Sequence, residues 1–72
     1  MIRNTVSALR AQKGLTQEEL ARRLNVTRQT IISLEKNRYT PSLEMAFKVA
    51  VAFGKSVEEV FTYSEDKTPA RR

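Results

Sequence analysis

Apolar positions recur three and four residues apart in short blocks, and each block is closed by a residue that stops a helix. Val6, Ala8 and Leu9 make the first block, which ends at Lys13-Gly14 and predicts a helix from about Thr5 to Lys13 with Gly14 in the left-handed position beyond it. Thr16-Gln17-Glu18-Glu19 spells a capping box, in which the Thr16 hydroxyl accepts from the Glu19 N–H and the Glu19 side chain reaches back. A second helix follows with Leu20, Ala21 and Leu24 inward. Asn25 tolerates a left-handed turn and Thr27 is an N-cap residue, so a third helix is expected over about Arg28 to Lys36. That helix places Ile31, Leu34 and Glu35 inward and Arg28, Gln29, Ile32, Ser33 and Lys36 outward.

Residues 37–42 read as a loop in which Pro41 or Ser42 opens a fourth helix. Leu43, Ala46, Phe47, Ala50 and Phe53 form its expected inner face, and Gly54 stops it. As the most apolar helix, it is expected to lie under the other three. Ser56-Val57-Glu58-Glu59 repeats the capping-box spelling for a short fifth helix, and Val60-Phe61-Thr62-Tyr63 then has strand-like composition. Residues 65–72 offer almost nothing to bury and are expected to be a disordered basic tail, which leaves 1–64 as one domain.

Composition narrows the class of protein. A chain of 72 residues buries only about 60% of its unfolded surface on folding, so it has room for one small core. There is no cysteine, hence no disulfide or thiolate metal site to reinforce that core, and helix packing or dimerisation must do so. The longest apolar run, Val49 to Phe53, is far short of the roughly 20 residues of a membrane span, and Met1-Ile2-Arg3-Asn4 does not open a signal peptide. A cytoplasmic protein with no membrane contact is expected.

An enzyme is disfavoured by the absence of histidine and cysteine and of any glycine-rich phosphate loop. Glu18, Glu19, Glu58 and Glu59 fall in first helical turns, where they complement the helix dipole. No catalytic residue, metal site, cofactor or small-molecule pocket is expected. The net charge of +5 is unevenly spread: residues 22–38 carry Arg22, Arg23, Arg28, Lys36 and Arg38 against Glu35 alone. Such a cluster reads either as a footprint for phosphates or as a solvated helix face.

From Gln17 to Lys36 the residues satisfy the constraints of two helices crossing around a tight turn. Leu20, Leu24, Val26, Ile31 and Leu34 supply the shared core, Ala21 is small where the helices cross, and Asn25 takes the turn. A unit of this kind presents the N-terminal part of its second helix to the major groove of DNA.

Leu15-Thr16-Gln17-Glu18-Glu19-Leu20-Ala21, Val26-Thr27-Arg28-Gln29-Thr30-Ile31 and Pro41-Ser42-Leu43 together resemble the Cro and phage-repressor (XRE) helix-turn-helix family. The similarity covers about residues 3–63 and is greatest to short stand-alone dimeric bacterial repressors of the cytolysin-repressor kind. It implies a mainly α, five-helix lambda-repressor-like domain, with a strand at about Met1–Arg3 pairing antiparallel with about Phe61–Tyr63. It also implies a partly buried salt bridge between Arg10 and Glu35, against which stands the reading of Arg10 as a phosphate contact.

The expected function is that of a transcriptional regulator, a repressor binding a pseudo-palindromic operator in double-stranded DNA as a homodimer. Arg28 can donate two hydrogen bonds to guanine O6 and N7, and the Gln29 amide matches adenine N6 and N7. Ser33 lies one turn beyond Gln29. Ile32, where the resembling family commonly has a polar residue, is either a thymine-methyl contact or a tolerated exposed residue; burial, the third reading, fits the helical phase poorly. Gln17 and Thr27 near helix N-termini, with Asn37 and Arg38 after the third helix, are candidates for phosphate contacts. Val57, Val60 and Phe61 are candidates for the dimer interface, Phe61 being equally readable as monomer core. The competing class is an antitoxin or adaptor acting mainly through a protein partner, which the short tail disfavours.

Overall fold

The computed structural model describes residues 2–64; Met1 and the expected tail at 65–72 lie outside the described residues. The elements run β1 (Ile2–Asn4), α1 (Val6–Gln12), α2 (Gln17–Leu24), α3 (Arg28–Glu35), α4 (Leu43–Ala52), α5 (Val57–Val60) and β2 (Phe61–Tyr63). Helix starts follow the capping residues. Thr16 and Ser56 form complete capping boxes with Glu19 and Glu59, while Thr27 and Ser42 accept from the N–H three residues on. Of the two candidates for opening α4, the cap is Ser42. α1 is shorter than expected because Thr5 is its N-cap, without a side-chain bond, and Lys13 its C-cap. α3 likewise ends at Glu35, with Lys36 as cap.

Four helices stop by one device. Gly14, Asn25, Asn37 and Gly54 all have positive φ. Behind each, the chain folds back to donate to carbonyls of the last turn: Leu15 to Arg10, Val26 to Ala21, Arg38 to Ser33 and Lys55 to Ala50. These bonds satisfy carbonyls that would otherwise be orphaned at the helix end. At two of the four ends the follow-on residue, Leu15 or Val26, also packs against the core. Asn37 thus terminates α3 as Gly14 terminates α1, a role legible in the Lys36-Asn37 step but not expected from it.

Leu20, Ile31, Leu34, Val6, Val49 and Val60 are fully buried and tie all five helices into one core. The close crossing is between α2 and α3, with Ala21 only 3% exposed. β1 and β2 pair antiparallel with Ile2 opposite Tyr63, Arg3 opposite Thr62 and Asn4 opposite Phe61. The expected ribbon is present, its first strand running to Asn4.

Three expectations are corrected. Leu43 and Phe47, expected on the inner face of α4, are 71% and 54% exposed, and Met45 and Val49 take the buried positions beside Ala46, Ala50 and Phe53. α4 is apolar nearly all round, with only Glu44 and Lys48 charged, so periodicity leaves its rotation open. It packs chiefly on α2 and α5 rather than equally under the three helices that precede it. Val60, a candidate for the dimer interface, is 0% exposed. It is a core residue with no surface to offer a partner.

Candidate nucleic-acid interface

The first turn of α3 is closed by its cap. Thr27 Oγ1 accepts from the Thr30 N–H at 3.2 Å and lies 3.0 Å from the Thr30 hydroxyl. This leaves the N–H groups of Arg28 and Gln29 at the open end of the helix, with no intrahelical carbonyl to bond and the positive end of the helix dipole behind them. Both side chains are exposed. Arg28 also lines a polar cleft of about 670 Å³ with Arg10, Thr16, Gln17 and Glu18. The structure therefore brings Gln17, at the start of α2, together with Arg28, at the start of α3.

A carboxylate behind that cleft fixes its geometry. Glu35 Oε2 accepts from Arg10 Nε at 2.7 Å, and Oε1 accepts from Arg10 Nη2 at 3.3 Å. Arg10 Nη1 donates to the Leu15 carbonyl at 2.9 Å, which ties down the turn between α1 and α2. Arg10 and Glu35 keep 19% and 8% of their side chains exposed. The hydrogen bond to Glu35 raises the Arg10 guanidinium above its ordinary pKa; burial works against that and the opposite charge with it. Arg10 is thus engaged on both sides within the chain. The salt bridge implied by the resemblance is present, and three of the five N–H groups of the Arg10 guanidinium are spent within the chain.

The remaining expected positions fall as follows. Gln17 is half-buried, and its Nε2 donates to Glu35 Oε1 at 3.1 Å. Its side chain therefore belongs to the same network, while its N–H lies at the open end of α2. Ser33 and Ile32 are half-buried rather than exposed. For Ile32 this corrects the outward reading: the residue sits at the flank of α3, between the buried stripe and the open face. Asn37 and Arg38 are exposed beyond α3.

Asn4 was not anticipated. Its Nδ2 donates to the Leu34 carbonyl at 2.8 Å and to Asn37 Oδ1 at 3.3 Å, while its Oδ1 accepts from the Val6 N–H. One side chain thereby links β1, the start of α1 and the end of α3. The available signal was an asparagine two residues before an apolar helical block, a common place for side-chain capping.

Val57 and Phe61 are half-buried and packed against the core, and Tyr63 on β2 is 67% exposed. Among the described residues no helix is long and apolar enough to cross a membrane, and no cluster of ligands for a metal ion is present.

Comparison with known proteins gives the family and the fold. The family model described as helix-turn-helix matches residues 6–60. An "uncharacterized HTH-type transcriptional regulator" of Methanocaldococcus jannaschii is 48% identical over 66 residues, covering 92% of this chain and 100% of that protein. The cryptic phage CTXphi transcriptional repressor RstR of Vibrio cholerae is 32% identical over 65 residues, covering 90% of this chain and 59% of that protein. Among solved structures, the clp gene regulator ClgR of Corynebacterium glutamicum superposes with a TM-score of 0.70 at 35% identity, covering 75% of this chain and 57% of that one.

Proposed function

The chain belongs to the helix-turn-helix family of DNA-binding transcriptional regulators, which are not enzymes, and from that premise we propose that it is a repressor that binds a pseudo-palindromic operator as a homodimer. Residues 1–64 are the unit that does this, acting in the cytoplasm, with 65–72 as a basic extension. The observation that carries the reading is the first turn of α3, where Arg28 and Gln29 stand exposed beside a polar cleft and two helix N-termini. Arg28 reads guanine and Gln29 adenine, Ser33 reaches a base edge one turn on, and Ile32 meets a thymine methyl with the part of its surface left open. The N–H groups of Gln17 and Arg28, the Thr27 hydroxyl, and Asn37 and Arg38 take the flanking phosphates.

Repression rather than activation needs only occupancy of the operator, since a bound dimer blocks polymerase without any further surface, and repression is the named role of the related RstR protein. Two-fold symmetry of the protein then sets two half-sites about 34 Å apart, one helical turn of DNA.

Selection of bound sites from a randomised duplex library tests this reading. A palindrome should emerge, and Arg28→Ala should cost about 1–3 kcal/mol on the selected site. If no sequence is enriched and Arg28→Ala weakens all duplexes equally, readout through α3 is refuted and a protein partner becomes the better explanation of the surface.

A further inference from the structure

Leu43, Phe47 and Val51 occupy successive turns along one side of α4 and are 71%, 54% and 76% exposed. Phe47 and Val51 line a largely apolar groove of about 620 Å³ whose other wall is the end of α2, with Arg23, Leu24 and Asn25. Glu44 and Lys48 border the stripe on the groove side. They stand four residues apart in the order that favours a bond within a helix. Yet the ion pairs among the described residues are Arg10–Glu35 and Glu18–Arg22, and neither Glu44 nor Lys48 takes part. None of the stripe belongs to the elements that line the polar cleft at Arg28.

Resting on the homodimer reading above, we infer that this stripe is the dimer interface, occupied by α4 of a second copy running antiparallel. The pattern is complementary to itself. With a two-fold axis passing beside Phe47, Leu43 meets the partner's Val51, Phe47 meets the partner's Phe47, and Val51 meets the partner's Leu43. The same axis keeps the charged flank of each helix on the same side of the pair, so Glu44 comes against the partner's Lys48, and Lys48 against the partner's Glu44. The partner's Glu44 also enters the groove toward Arg23. An extended apolar stripe with complementary charges along its edge is the arrangement by which paired helices set orientation. A rival interface at α5 has less to offer, because Val60 is wholly buried and Val57 and Phe61 are already packed on the core. A single pair of helices ten residues long covers less than the roughly 1,200–2,000 Å² of a standard stable interface. The free dimer is therefore weak, and two DNA half-sites assist its assembly.

Charge reversal at these exposed positions tests the assignment without touching the core. In sedimentation equilibrium, Glu44→Lys or Lys48→Glu alone should raise the dimer dissociation constant about 10-fold or more, through like charges facing each other. The double variant E44K/K48E should recover most of that loss. Because the chain has no cysteine, Phe47→Cys should be captured as a covalent dimer by a short thiol cross-linker, whereas Tyr63→Cys should not. If the wild type dimerises but the reversals leave it unchanged and Tyr63→Cys is the variant captured, the α4 assignment is overturned while the homodimer reading stands. If the wild type stays monomeric both free and on a duplex with two half-sites, both readings fall.

Discussion

Gln17 Nε2 lies 3.1 Å from Glu35 Oε1, so the first residue of α2 is hydrogen-bonded to the last residue of α3 through the carboxylate that also holds Arg10. The two helix starts that carry the proposed DNA contacts are thereby set relative to one another by a side chain that is only 8% exposed. The arrangement explains why Glu35 faces inward on a helix whose other charged residue, Arg28, faces out.

Glu35→Ala removes the acceptor for both partners and strands the Arg10 guanidinium. The expected cost is about 2–4 kcal/mol in chemical denaturation, toward the lower end for unpairing a buried charge because part of Arg10 still reaches water. Gln17→Ala, which loses one hydrogen bond, should cost about 0.5–1.5 kcal/mol. Equal losses for the two variants would show that Glu35 does no more for stability than its bond to Gln17.

Asn25 holds φ at 60° between α2 and α3. Replacing it by alanine forces a side chain without local hydrogen-bonding capacity into the left-handed region, at about 1–2 kcal/mol. Glycine adopts that region freely, so Asn25→Gly should stay within about 0.5 kcal/mol of the wild type. A comparison of the two urea midpoints decides whether the turn's demand is for conformation or for the amide itself.

The Glu19 and Glu59 carboxylates are held below the usual range, first by the backbone N–H of Thr16 and of Ser56 that each accepts. A carboxyl with a depressed pKa in the folded state contributes fully above its unfolded value of about 4.3, and the contribution is lost as pH falls through the folded value. Stability should therefore be flat above about pH 5 and decline below it. The double variant E19Q/E59Q should decline less steeply; thermal melts at closely spaced pH values between neutrality and acid would show whether it does.

Arg38, exposed past the end of α3, should contribute charge without sequence information. Arg38→Ala is expected to weaken selected and unrelated duplexes alike. It should also reduce the slope of log affinity against log salt by about 0.9, because one phosphate fewer is neutralised. An effect confined to the selected site would instead make Arg38 a base-reading residue.

Much of the fold is written in local chemistry. Thr16, Thr27, Ser42 and Ser56 are good N-caps in any context, Gly14 and Asn25 are suited to the left-handed turn, and the leucines and isoleucine of α2 and α3 repeat at one clear period. Those signals act within a few residues, so the chain alone reveals them. The exposed pair Arg28 and Gln29 is legible for the same reason, since a cap followed by polar residues on the outer side of an amphipathic helix leaves little choice of direction.

The tertiary structure decided the matters that depend on contacts between distant segments. α4 is apolar on nearly every side, so its own residues do not specify a rotation, and packing on α2 and α5 buried Met45 and Val49 while leaving Leu43, Phe47 and Val51 outside. Val60 became core rather than interface because the capping box at Ser56 turns α5 onto the bundle just before the chain leaves to pair with β1. Asn4 and Gln17 acquired their partners across the fold, 30 and 18 residues away in sequence. The sequence by itself determined most helix starts and stops and the outward direction of Arg28 and Gln29, because capping and amphipathic periodicity are short-range. Which apolar surfaces are covered, and which polar groups meet, follows from the one arrangement in which five short helices bury a shared core.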